Sequence, residues 1–467
     1  MRVTGFILSL TSTSARFRRG LRNSHRAYTT GPVRVSAVVG IAVMGLIVQP
    51  ASAQSVRSDP TPMQLGALYD AAQRANPKTA AARALATAAV ARVPGSKRPP
   101  DPQLQLGLMN RQLPGLAPME VLGMTQLQLM QMIPTAGKLG LAGAAAEARA
   151  VGARERATDM GWEVRTSVAA AFYDIYRTER SIEIALATQR LMQDIAETAN
   201  AMYRVGETAQ ADVLKARVEV ARMTEEIIAM RAMRQVALAR LSGLLDQPVD
   251  SAMAPVLLPD FPATLPPPDS LIRQAAISRP MVRAGEADLR AADADSRRAR
   301  REIWPDLQIG VQYGQRGGMG GTDRMGSLMI GASVPVFARS RQLRMRDEGE
   351  AMRAMFAAEL AGMRADTRAS VATAHVEWTR ARNLSELYRS TILPQARAAV
   401  TASIAAYQVG RVNLMTLLDN QATVNRYAQE LAALEAAEGM ALADLEMLLG
   451  HELFNSNTGR SAPGGDG

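Results

Sequence analysis

Methionine is the residue type in this sequence with the most obvious chemical potential. Of its 26 methionines, Met109, Met119, Met124, Met130, Met132, Met319, Met325 and Met329 fall in or beside stretches that read as strands. Thioethers are soft donors that favour Cu(I) and similar ions. No compact Met-x-x-Met cluster occurs there, so the same residues also read as flexible apolar filling, the commoner use of methionine. The other reactive types offer less. There is no cysteine, and the three histidines, His25, His375 and His451, are far apart. No phosphate-binding glycine loop, nucleophile–base pair or paired carboxylate stands out, so the sequence points to no enzyme, no cofactor and no metal centre.

A second candidate set is carried by a repeat. Tyr203, Val205 and Gly206 are followed by Asp212 and Leu214; Tyr407, Val409 and Gly410 are followed by Thr416, Leu418 and Asp419. Tyr203/Tyr407 and Leu214/Leu418 lie 204 residues apart, as do Ala239/Ala443, Leu241/Leu445, Leu244/Leu448 and Leu245/Leu449. Upstream, Asn76-Pro77 matches Arg279-Pro280 and Ile133-Pro134 matches Val334-Pro335 at nearly the same spacing. A period that long is not a solenoid unit but a duplicated half-protein. Each glycine permits a helix to turn back, and Asp212 is placed to bond within its own turn.

The elements that must position these residues follow from periodicity. Gln64 to Arg92 reads as helix, and the prolines from Pro94 to Pro102 then break it. Leu104, Leu106 and Leu108 alternate with Gln103, Gln105 and Gly107. Leu127, Leu129 and Ile133 alternate with Gln126, Gln128, Met130 and Met132. The second half repeats this: helix over 269–302, then Leu307, Ile309, Val311 and Tyr313 alternating with Gln308, Gly310, Gln312 and Gly314, then Leu328, Ile330, Ala332 and Val334. Period two predicts strands with an apolar and an amide-rich face. No proline occurs from 135 to 247, and 138–202 alone would make a helix of about 100 Å. Its seam (164, 168, 171, 175, 178, 182, 185, 189, 192, 196, 199) has 3.5-residue spacing and small side chains, as in a coiled coil or helical tube. Pro394 should kink the fourth long helix.

The boundaries read as a signal peptide (1–53), a first repeat (54–250), a proline-rich linker (251–268), a second repeat (269–452) and a disordered tail (453–467). The signal combines arginines, an apolar run from Val35 to Val48 and a cleavage site at Ala51-x-Ala53. The run is short of the roughly 20 residues of a membrane anchor. The net charge of +10 includes the seven arginines of residues 1–53, which hold no acid, leaving +3 for the rest. That near balance removes the main support for nucleic-acid binding. Four strands cannot close a barrel, and open edges are not tolerated in lipid. If these strands span a membrane, several chains must share one barrel, with the apolar face on lipid and the glutamine face on water.

On the duplication, the two Tyr-x-Val-Gly…Leu segments, the stretch from Gln131 to Ala148 and its echo from Ser333 to Ala351, the chain resembles the TolC family of outer-membrane efflux proteins over about residues 64–452. The resemblance implies an α+β membrane protein: a homotrimer with a shared 12-strand β-barrel in the outer membrane, continuing into a long periplasmic α-helical barrel. It implies a passive duct for small molecules or ions, coupled through a periplasmic adaptor (membrane fusion) protein to an inner-membrane pump of the resistance–nodulation–division (RND) type. It also implies roles for the repeated turns. Tyr203, Val205, Gly206, Tyr407, Val409 and Gly410 would form the adaptor-contact tip; Asp419 and Thr416 would stand at the periplasmic gate, where an acid is common at the Thr416 position. Within the family, copper/silver-type metal efflux and type I protein secretion stay open. Outside it, a soluble periplasmic coiled-coil scaffold or adaptor would explain the helices but not the four strands.

Overall fold

The computed structural model describes residues 62–112, 114–119, 123–249, 254–318, 321–454 and 456. The expected export signal with Ala51 and Ala53, Met319, and most of the tail expected to be disordered lie outside them.

A short strand β1 (Pro62–Met63) leads into helices α1 (Leu65–Ala75) and α2 (Pro77–Ser96). Where one helix was expected from Gln64 to Arg92, there are two. Pro77 forces Asn76 out of the helical region, to φ −65°, ψ 123°. Asn76 then caps α2 by accepting from the Lys78 N–H at 2.9 Å, and its amide donates to the Leu244 carbonyl at 2.8 Å. Pro94 does not end α2; it sits in the last turn, and the helix runs on to Ser96. The same break recurs in the second half. Helices α5 (Pro268–Ser278) and α6 (Pro280–Arg301) part at Arg279, with φ −57°, ψ 121°.

After α2 come β2 (Gln103–Met109), a small hairpin of β3 (Arg111–Gln112) and β4 (Ala117–Pro118), and β5 (Met124–Ile133). Helix α3 then runs unbroken for 67 residues, Lys138–Arg204, and returns as α4 (Gln210–Leu245). In the proline-rich stretch, β6 (Ala254–Val256) pairs in parallel with β1. Beyond α6, β7 (Leu307–Gly318) and β8 (Gly321–Ala332) precede α7 (Gln342–Leu387). A π-helical turn, Tyr388–Ile392, joins α7 to α8 (Leu393–Gln408), and α9 (Leu414–Leu449) returns. Pro394 therefore follows a π turn rather than breaking a regular helix; a π turn is one way a helix absorbs the lost hydrogen bond.

The duplication is written in these boundaries. Helices α4 and α9 are each 36 residues long, and both end in a left-handed cap, Asp246 and Gly450, 204 residues apart. Strands β2, β5, β7 and β8 form one antiparallel sheet in that order. Among the described residues no helix is long and apolar enough to cross a membrane.

The core lies along the α3 seam. Val164, Val168, Ala171, Ile175, Ala185, Met192 and Ala199 are buried, mostly against α4 and α9. One cluster gathers Phe172, Tyr173 and Leu241 beside α1, and another gathers Met192, Met202, Val213, Val400 and Leu417 where the hairpins end. Small residues in this seam let the helices approach closely, as 3.5-residue packing requires. The start of the tail is held too: Leu453 donates its N–H to Glu446 at 2.8 Å, and Phe454 packs edge-on against Phe261.

Candidate functional site

The two helical turns have the same backbone and different surroundings. Gly206 and Gly410 adopt φ of +78° and +69°, the left-handed region where glycine avoids a Cβ clash. Each N–H closes on the tyrosine carbonyl three residues back, at 3.1 and 3.0 Å. Tyr203 is 44% exposed, whereas Tyr407 is 4% exposed. Val205 and Val409 stand out in solvent, with Gly206 and Gly410 beside them. Tyr407 thus departs from the expected tip surface. Its ring packs in the cluster with Met202 and Val213, and Thr208 and Asp212 of the first turn neighbour its hydroxyl, which burial pushes above its ordinary value. Asp212 is engaged inside its own turn, accepting from the Thr208 hydroxyl at 2.8 Å.

Thr416 and Asp419 open α9. Asn413 is the N-cap, and its side-chain oxygen accepts from both the N–H and the hydroxyl of Thr416, each at 2.9 Å. That capping geometry commits the threonine oxygen to the helix start. Asp419 lies one turn further on, exposed, and lines a groove of about 470 Å³ between α4 and α9 with Lys215, Arg222, Leu214 and Met415. Its carboxylate makes no ion pair within 4 Å among the described residues.

The sheet sorts its side chains by face. On β5 and β7 burial alternates: Gln126, Gln128, Met130, Gln308 and Gln312 are half-buried and Gly310 and Gly314 fully buried, while Leu127, Leu129, Ile309, Val311 and Tyr313 are exposed. In register, Gln105, Gln128, Gln312 and Ser327 form one polar rung. Gln312 donates to Gln126 at 2.6 Å across the strands. The opposite rung, Leu106, Leu127, Tyr313 and Gly326, carries no charge.

A junction that the sequence did not mark as a site joins sheet to helix. Lys138, the first residue of α3, is buried. Its Nζ donates to the Trp304 carbonyl and to Asp306 Oδ1, both at 2.9 Å, and lies 3.3 Å from Glu302. Asp306 also accepts from the Thr135 N–H at 3.1 Å, and Arg301 donates to the Ala136 carbonyl. No local pattern in the sequence marks Lys138, because its partners lie more than 160 residues away. His375 lies in α7 and His451 just beyond the end of α9, and no group of three or more His, Asp or Glu side chains among the described residues could hold a metal.

A four-stranded antiparallel sheet with one apolar face, continued from β5 and β8 into long helical hairpins and built twice over, defines the TolC-like channel fold. The chain belongs to the outer membrane efflux protein family, whose model matches residues 68–247 and 271–451. It is 26% identical over 302 residues to the pyoverdine export outer membrane protein OpmQ of Pseudomonas putida, covering 61% of each chain. It is 21% identical over 271 residues to the cobalt-zinc-cadmium resistance protein CzcC of Cupriavidus metallidurans, covering 56% of this chain and 62% of that one. These matches span less than two thirds of the relatives' own lengths. Among solved structures, the outer membrane protein VceC of Vibrio cholerae superposes with a TM-score of 0.71 at 18% identity, covering 84% of this chain and 97% of that one.

Proposed function

We propose that this chain is the outer-membrane duct of a tripartite export system, extending into the periplasm and passing small molecules or ions to the outside. The observation that carries the reading is the sheet. Its edge strands β2 and β8 are open, and its apolar face exposes Leu104, Leu106, Leu127, Leu129, Val311 and Ile330. Unpaired strand edges cost several kcal/mol per unsatisfied group in hydrocarbon, on the order of a whole hydrogen bond each. Copies of the chain satisfy them by sharing one barrel. Three copies close twelve strands, three times the four of one chain, with leucine outside and glutamine inside.

The helices then continue the lumen, and the turns form its far end. Tyr203, Val205, Gly206, Val409 and Gly410 present the surface that meets a periplasmic adaptor, while Tyr407 holds the two turns together from inside. Three copies of Asp419 ring the aperture and concentrate negative potential there. Thr416 supplies no second acid, so the ring is a single one. The duct is passive; an inner-membrane pump of the RND type supplies the energy. OpmQ is named for pyoverdine export and CzcC for cobalt, zinc and cadmium resistance; both fit a duct whose cargo is chosen upstream.

Single-channel recording in planar bilayers tests the gate. Asp419→Ala should raise conductance and lower cation selectivity relative to the parent channel. If both stay unchanged, Asp419 is a solvated helix-face residue and the gate role fails.

A further inference from the structure

The methionines of the four main strands all fall on one face. Met109 pairs with Met124, Met130 with Gly310, Gly310 with Met329, Gly314 with Met325, and Met132 with Gln308. Every one of these six lies on the glutamine face, and none on the leucine face. Apolar filling against lipid would put them on the other side, where leucine, isoleucine and valine do that work. They sit instead among amides, a serine and the Arg316–Asp323 pair.

They also converge. A Cβ placed on Gly310 would lie 3.3 Å from Met130 Cγ and 3.4 Å from Met329 Cε, so side chains from β5 and β8 lean over β7 from both sides. On Gly314 it would lie 3.1 Å from Met124 Cε and 3.6 Å from its sulfur. Met325 of β8 pairs directly with Gly314, while Met109 pairs with Met124 on the next rung of this face. Each glycine leaves the gap over which thioethers from adjacent strands can meet.

We propose that this face carries two thioether sites for a soft monovalent cation, Cu(I) or Ag(I): one at Met130 and Met329 over Gly310, the other at Met124 and Met325 over Gly314. Neutral sulfur donors suit such ions and are poor ligands for Zn(II) or Co(II), which draw on imidazole, thiolate or carboxylate. A neutral donor set also binds without trapping, and a conducting path needs sites that an ion can leave. The proposal rests on the reading that this face lines the duct.

The test uses the purified full-length channel in detergent, with Ag(I) as a probe that does not change oxidation state. Bound silver is counted by elemental analysis after desalting, for the parent and for a variant with Met124, Met130, Met325 and Met329 all replaced by Leu. Met→Leu conserves volume, and retained K⁺ conductance in bilayers shows that the variant is assembled. The parent should hold about two more Ag(I) per chain than the variant, with no such difference for Zn(II), and Ag(I) should lower only the parent's conductance. Met130→Leu with Met329→Leu alone should remove about one of them. Equal silver in parent and variants overturns the proposal. Loss of K⁺ conductance from the parent itself would instead remove the duct reading, while the silver difference still reports on the sites.

Discussion

Two tyrosines in matched positions, Tyr203 and Tyr407, carry different tasks because their neighbours differ. Nothing in either turn's own residues separates them; the burial of Tyr407 comes from the first hairpin, through Met202, Val213 and Thr208. A second residue-scale case is Glu446 in α9. It is buried, pairs with Arg165 at 3.2 Å and accepts from the Leu453 N–H. The Arg165 guanidinium in turn lies 3.9 Å over the Tyr69 ring and binds Glu452 at 2.6 Å. Burial outweighs these partners and pushes the Glu446 carboxyl above its ordinary value. The sign follows from linkage. The unfolded chain releases this proton first, near the usual glutamate value of about 4.3. Raising the pH from there therefore costs stability, and below it the group contributes nothing. In thermal unfolding, the parent's midpoint should fall relative to Glu446→Gln as pH rises from the carboxylate range toward neutrality. Parallel curves for the two proteins would show that Arg165 fully offsets the burial.

At the scale of elements, the junction between β5 and α3 is the place where one substitution reaches furthest. Lys138→Met keeps the stem and removes the charge that joins Trp304, Asp306 and Glu302. Breaking a buried pair typically costs about 3–5 kcal/mol; Asp306 and Glu302 keep some solvent contact, so the lower end of that range is expected. Denaturant unfolding followed by circular dichroism measures it, and a loss under about 1 kcal/mol would mean that the cluster behaves like a surface pair. This junction also marks the limit of what the sequence discloses. The strands, the 67-residue helix and the 204-residue offset were legible because each is a local period, repeated. The helix breaks at Asn76 and Arg279 were visible only as matched X-Pro pairs, although the proline rule that splits the helices there is local. The π turn before Pro394, the burial of Tyr407 and the partners of Lys138 come from contacts between segments far apart in the chain, which no periodicity records. The methionines were legible as candidates, but their convergence over Gly310 depends on strand register.

At the scale of the whole molecule, one chain leaves surfaces that a single copy cannot bury. Helix α4 packs Val213, Ala216, Met223 and Ile227 into the core. Beside that stripe runs a second, Leu214, Val218, Ala221, Ile228 and Ala232, whose spacings of 4, 3, 7 and 4 keep it on one face. It is solvent-exposed, with Ile228 at 63%. A lone helical hairpin has no reason to hold isoleucine and valine in water at helical spacing; a tube built from neighbouring copies does. Ile228→Arg should therefore leave the single chain intact, since the residue makes no buried contact within it. It should remove apolar burial worth about 1.5–3 kcal/mol from each shared seam and add the cost of a charge there. The expected result is a chain of unchanged helix content that runs as a monomer in detergent, by light scattering coupled to gel filtration, where the parent runs as a trimer. If the variant stays trimeric with parental K⁺ conductance, the stripe faces water in the assembly as well. The seam between copies must then be sought on the exposed face of α7, where Met345, Met352, Met355, Val376 and Leu387 recur.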